Sequence, residues 1–256
     1  MTGQVVERDQ MTASEARAAA ILLGKRKDWN PDVAMRYLPI VQLLRRRDIS
    51  EGILEMGSGA LGIGPYLRAP FFGIDTCEFQ PRNSLLRPVS GSVLQTPLRG
   101  RSCRAVISVD MLEHVPSALR RPAIDEMVRI TGQTLVIGVP AGDAAMEHDR
   151  EMARTFRDVR GVDHQFFLEH VEEGLPSIQD LRRDVEVSVA SSGRTATIEM
   201  FPNANLRVRS FVIRRWIRRG MLDRVAWVVM VWFAKLLARL NREPSYRQIV
   251  VVDFSD

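Results

Sequence analysis

The segment Ile53-Leu-Glu-Met-Gly-Ser-Gly-Ala-Leu-Gly62 holds the residues of this chain best suited to chemistry. An apolar run that ends in a glycine-rich turn and opens a helix brings backbone amides close to a ligand, because no Cβ intervenes and the helix start is electropositive. Gly57, Gly59 and Gly62 satisfy GxGxxG, a spacing shared with dinucleotide sites, so the glycines alone do not choose the ligand. Glu55, two residues before the first glycine, discriminates better. A carboxylate there suits a nucleoside carrying a cationic amino-acid end and suits a pyrophosphate badly, since two anions would meet. Asp75, sixteen positions past Gly59 at the end of the next apolar run, is placed to accept both hydroxyls of a ribose.

Further segments follow in a fixed order: Gly91-Ser-Val-Leu-Gln-Thr-Pro-Leu98, then Ala105 to Pro116 with its Leu-Glu-His-Val-Pro ending, Glu126-Met-Val-Arg129, and Thr134 to Pro140. With the glycine turn they span roughly residues 50–142 and resemble the motif series of the class I S-adenosylmethionine-dependent methyltransferases, type 11-like. The resemblance implies a Rossmann-like α/β fold and S-adenosylmethionine as methyl donor. It places Glu55, Gly57, Gly59, Asp75, Ser92 and Asp110 around that cofactor. Ser92 stands where the family usually has an acid, and its hydroxyl can still hydrogen-bond the adenine amino group.

In an open α/β sheet, ligands lie over the carboxyl ends of the strands, so the loops after Val109 and Val139 should face the transferred methyl. Those stretches carry Asp110, Glu113, His114, Asp143, Glu147 and His148, and all four histidines, His114, His148, His164 and His170, fall between 114 and 170. A lone histidine is more often a packed or solvated side chain than a catalyst. Asp110-Met-Leu-Glu113-His114 resembles the acid-x-x-Glu-His segment through which some O-methyltransferases of quinone precursors and RNA 3′ ends bind magnesium. Asp163-His164-Gln-Phe resembles a later histidine segment of the RNA class. The resemblance therefore implies Mg²⁺ on Asp110, Glu113 and His114, while relatives with Leu-Glu-His and no metal keep a purely pocket-shaping role open. His148 and His164 are the candidates for the base that removes an acceptor proton.

Glu169-His-Val-Glu-Glu-Gly-Leu-Pro176 and Glu243-Pro-Ser-Tyr-Arg247 resemble blocks of methyltransferases that accompany glycan-building enzymes. They imply O-methylation of a sugar or oligosaccharide hydroxyl, a methylated-mannose polysaccharide precursor being one instance. A quinone, phenol or lipid headgroup is the alternative small-molecule acceptor. A non-catalytic nucleic-acid-binding role is disfavoured, because no aromatic-plus-basic recognition motif accompanies the arginines.

Short apolar runs at 52–56, 71–75, 105–109 and 134–139 alternate with helical patterns, which predicts βαβ units and a mainly parallel sheet. Glu186-Val-Ser-Val-Ala-Ser and Gln248 to Phe254 read as late strands forming an antiparallel edge, with a helical insertion over roughly 204–241. Residues 12–24 and Ala34 to Leu44 have helical spacing and predict a helical cap over 1–50, before a cofactor-binding core at 51–142 and a substrate-side region at 143–256. All three belong to one methyltransferase domain, for which 256 residues at 45% hydrophobic suffice.

Two cysteines, Cys77 and Cys103, without CxxC spacing speak against a disulfide scaffold or zinc ribbon, and the polar N-terminus lacks a signal core, so a cytoplasmic location is expected. The net charge is +5, and nearly all the basic residues are arginine, clustered at 45–47 and in 207–219. Val225 to Ala234 is too short to span a bilayer. It is expected either in the core, in a homodimer contact, or at a peripheral membrane contact.

Overall fold

A computed structural model describes residues 23–26, 28–76 and 83–255. Cys77 and the first part of the predicted 12–24 helix lie outside the described residues. Helix α1 (Pro31–Arg46) begins where Asn30 Oδ1 accepts the amides of Asp32 and Val33 at 2.9 and 3.3 Å, with Pro31 at the first helical position. Strand β1 (Ile53–Met56), the short α2 (Gly64–Leu67), β2 (Phe71–Asp75) and β3 (Leu86–Ser90) follow. Next come β4 (Cys103–Val109), α3 (Ser117–Ile130), β5 (Thr131–Pro140), α4 (Asp143–Arg160), α5 (Gln165–Glu173) and α6 (Ile178–Ser191). The chain continues through β6 (Ala196–Asn205), α7 (Leu206–Arg218), α8 (Met221–Trp232) and α9 (Ala234–Leu237) to β7 (Ser245–Phe254).

The strands form one sheet in the order β3-β2-β1-β4-β5-β7-β6. The first five are parallel, and β7 runs antiparallel to both β5 and β6. Central strands read as unbroken apolar runs because both faces are covered. Alternate residues therefore enter two cores. Ile53, Ile107, Val136 and Val251 join α1, whereas Leu54, Val106, Leu135 and Val250 join α3 and α6.

The sheet reversal expected among the late strands is present, but Glu186–Ser191 is not part of it: those residues are the last turns of α6. Their Val-x-Val alternation mimics a strand, yet Leu181, Val185 and Val189 recur every four residues and bury one helical face. The strand that follows is β6, whose Pro202 is tolerated because β6 lies at the sheet edge. α1 covers one face of the sheet as a layer of the core.

The helical assignment separates two neighbouring valines. Val185 is buried and Val187 is 37% exposed, although a strand would put both on one face. In denaturant titrations Val185→Ala is expected to lose about 2 kcal/mol, and Val187→Lys to stay within about 0.5 kcal/mol of wild type. Equal losses at both positions would contradict the helix.

Candidate active site

The turn after β1 is built around a buried acid. Glu55 Oε1 accepts the Tyr37 hydroxyl at 2.6 Å and Oε2 accepts the Ile63 amide at 2.8 Å. A Cβ at Gly62 would overlap Oε2, so this third glycine leaves room for the carboxylate. Gly57 adopts φ +77°, and a Cβ there would sit 2.5 Å from Met111 Cγ. Gly59, at φ +54°, faces open space and donates its amide to Asp75 Oδ2 at 3.2 Å. The Gly91 amide binds the Asp75 carbonyl at 3.0 Å, and Ser92 accepts the Leu94 amide in the turn after β3. Gly57, Gly59, Asp75 and Ser92 thus gather at the carboxyl ends of β1, β2 and β3, beside an open backbone surface. Glu55 lies beneath that surface and shapes it.

Asp110, just past β4, is held at φ +50° with its amide on the Gly138 carbonyl. Arg247 grips both its oxygens at 2.5 and 2.6 Å, and Arg36 adds a third contact at 2.5 Å. Burial opposes ionisation, but the two guanidiniums outweigh it and hold the carboxyl well below the usual range. Asp110 is therefore not available as a metal ligand: its oxygens are occupied, and two fixed cations would repel a third. Of the three residues in the magnesium set read from the sequence, Asp110 is thus the one whose oxygens the arginines already engage.

Glu113 and His114, on a 3₁₀ turn at Leu112–His114, meet a residue outside that set. The ligand atoms of Glu113, His114 and His170 lie within 4.8 Å of one another. Glu113 is 1% exposed and neither carboxylate oxygen has a hydrogen-bond partner; His170 Nε2, also without one, lies 3.9 Å from Oε1. Burial, then the charge of Asp110, push the Glu113 carboxyl well up. His170 Nδ1 sits 2.7 Å from Asp149 Oδ2, which also accepts the Tyr246 hydroxyl at 2.7 Å. Asp149 thereby fixes the tautomer with its lone pair on Nε2, facing Glu113. Arg120 pins the turn to the end of α5 through the carbonyls of Leu112, Val115 and Gly174.

The two predicted bases are placed elsewhere. His148 is buried, and its Nδ1 lies 2.8 Å from Arg209 Nη1 and 3.4 Å from Asp149 Oδ1, so that nitrogen is engaged within the protein. Burial also pushes its pKa down. His164 precedes α5 among aromatic rings, with centroids 5.0, 5.6 and 5.3 Å from Phe156, Phe167 and Trp216. It packs there, and Phe166 touches both its ring and that of His170. Asp143 and Glu147 belong to α4, not to a loop, and Glu147 pairs with Arg154 at the surface. Arg36, Tyr37, Asp149, Arg209 and Tyr246 carry no spacing signal that assigns them to the site; Tyr246 and Arg247 do fall in the block Glu243 to Arg247.

No family model matches the chain, and no curated protein matches it. Among solved structures, a Haloferax volcanii methyltransferase in complex with the Trm112 methyltransferase activator shares 15% identity, with 96% of this chain and 97% of that chain covered and a TM-score of 0.49. A Thermotoga maritima S-adenosylmethionine-dependent methyltransferase shares 12% over 96% of its length, covering 95% of this chain with a TM-score of 0.47. Haemonchus contortus phosphoethanolamine N-methyltransferase 2, bound to phosphomonomethylethanolamine and S-adenosylhomocysteine, shares 11%, with 96% of this chain and 59% of that chain covered and a TM-score of 0.48. What decides the fold is this chain's own sheet: an all-parallel dinucleotide sheet runs 3-2-1-4-5-6, whereas here a reversed strand enters between β5 and β6. The fold is that of the class I methyltransferases.

Glu55 leaves a thermodynamic signature. Burial raises its carboxyl from 4.5 to about 7 against the opposing bonds from Tyr37 and Ile63. The folded chain then keeps a proton that the unfolded chain loses above about pH 4.5, so this group's contribution to stability falls as pH rises toward about 7. In denaturant melts, Glu55→Gln is expected to gain on the wild type as pH rises from about 5 to about 7.5, the sign set by linkage. A pH-independent difference between the two proteins contradicts this.

Proposed function

We propose that the chain is an S-adenosylmethionine-dependent O-methyltransferase acting on a hydroxyl of a saccharide, with a divalent metal at Glu113, His114 and His170. The observation that carries the acceptor side is the orphaned Glu113 carboxylate facing the unpartnered Nε2 of His170, because buried polar groups left without partners are costly unless a ligand satisfies them. One carboxylate and two imidazoles suit Mn²⁺ or Zn²⁺ better than Mg²⁺, which prefers oxygen. Such an ion would lower the pKa of an acceptor hydroxyl and orient it.

The cofactor side of this reading is supported by the open space at Gly59 and by Asp75 at the carboxyl end of β2, a carboxylate suited to accepting ribose hydroxyls. S-adenosylmethionine supplies a methyl on a sulfonium, to be transferred in line to the acceptor oxygen as the carbon–sulfur bond breaks. The chain must align the acceptor, keep water out and accept its proton. The saccharide reading is supported by His170 Nε2 and Arg247 Nη1, buried nitrogens without a hydrogen-bond partner that match an acceptor dense in hydroxyls. His170, Tyr246 and Arg247 come from the two glycan-associated sequence blocks.

A second assignment of His170 is favoured by its 2.7 Å bond to Asp149: as a general base without metal, Nε2 takes the hydroxyl proton directly. Calorimetric titration should show binding of S-adenosylhomocysteine and none of NAD; the reverse overturns the donor. In a mass-spectrometric screen of sugars, phenols and headgroup analogues, methyl transfer is expected on a sugar hydroxyl. His170→Ala is expected to lower kcat by roughly 100-fold or more, while His164→Ala leaves the folded enzyme near wild-type turnover. Loss of turnover with EDTA, restored by Mn²⁺ or Zn²⁺, identifies the metal route; full turnover with EDTA assigns His170 as the base.

A further inference from the structure

Among the described residues, eight of the fifteen exposed large hydrophobic side chains lie between Met221 and Leu240, far more than an even spread would place there. Leu222 is 75% exposed, and Leu222, Val225, Val229, Trp232 and Leu236 recur at three- and four-residue steps as a stripe along α8 and α9, with exposed Leu240 just beyond. The opposite side of the same helices is already used, since Met230, Val231 and Ala234 are buried in the core. No helix among the described residues is long and apolar enough to cross a membrane.

The stripe ends at a groove of about 790 Å³ where Trp232, Lys235 and Arg239 meet Arg26, Arg45 and Arg68. Among the described residues no carboxylate lines it. Arg26 is fixed in place by the Trp232 carbonyl at 2.7 Å and by the Trp29 and Trp232 rings, 5.2 and 4.9 Å away. Between residues 206 and 242 there are ten Lys and Arg and one Asp; Arg209 is buried with Asp32 and Asp149, and Arg214 and Arg215 pair with Glu151 and Asp223, so the cations offered beside the stripe are those of the groove.

Apolar exposure and excess positive charge on one face narrow the choice of occupant. A second copy of this chain would bring the same cations against themselves. Nucleic acid would satisfy the charges and leave the stripe in water. An anionic lipid surface offers acyl boundary to one and phosphates to the other.

We propose that the α8–α9 stripe and the groove beside it dock this protein on an anionic membrane surface. The apolar side chains enter the headgroup–acyl boundary and the groove cations receive lipid phosphates. This docking is independent of which acceptor is methylated.

Flotation of the full chain with vesicles of phosphatidylcholine alone, and of phosphatidylcholine with phosphatidylglycerol, tests it. Association is expected only with the anionic vesicles and should weaken with added salt. Arg239→Ala is expected to reduce partitioning roughly fivefold and Val225→Glu to abolish it, both keeping the wild-type melting temperature and S-adenosylhomocysteine binding. Absence of flotation, or equal flotation on both compositions, overturns the proposal. So does a dimer in light scattering that Val225→Glu dissolves, since the face would then belong to a second copy.

Discussion

The clamp on Asp110 ties together the parts of this molecule that meet at the acceptor side. One carboxylate at the end of β4 receives Arg247 from β7 and Arg36 from α1, joining the reversed strand, the central parallel strand and the covering helix at one point. A buried ion pair of this kind adds little net stability over apolar packing, but losing one member strands the others in a low-dielectric interior. Its contribution is to fix geometry. With Asp110 held, the turn that follows has a defined path, and Glu113 is delivered against His170.

Around that point charge is balanced within the chain. Asp32 lies 3.4 Å from Arg209 and 3.8 Å from Arg247, and Asp149 bridges His170, Tyr246, His148 and Arg209. Negative and positive groups offset one another, and among the described residues Glu113 is left with both carboxylate oxygens buried and without a hydrogen-bond partner. The ionic lattice positions the cluster and the cluster is what meets a ligand. The same division appears at the cofactor end, where Glu55 organises the turn from below and the glycines present backbone above.

Much of the fold was legible in the sequence because buried parallel strands carry their own signal. β2 falls at the predicted 71–75, β4 and β5 contain the predicted runs, and the helices between Leu206 and Leu237 fall within the expected insertion at roughly 204–241. Glu186–Ser191 was misread because a two-residue alternation over six positions fits a helix end as well as a strand; only burial of Leu181, Val185 and Val189 on one face separates them. At the site, glycines and acids next to strands were readable, since the backbone defines their positions. The partners of those acids were not. Arg36, Asp149 and Arg247 lie 74, 21 and 137 positions from the residues they hold, and a spacing pattern cannot report a pairing made by tertiary structure. Likewise His164 and His170, six residues apart, have opposite surroundings, one aromatic and one ionic.

Helix α1 has two working sides. Arg36 and Tyr37 reach inward to Asp110 and Glu55, while Leu38, Pro39, Gln42 and Arg45 line the cationic groove. A single rigid rod thus forms a wall of the outer groove and a support of the inner clamp. Thermodynamic reciprocity then constrains the pair: an occupant of the groove that prefers one setting of the rod biases the clamp, and a ligand that tightens the clamp alters the groove's affinity by the same factor.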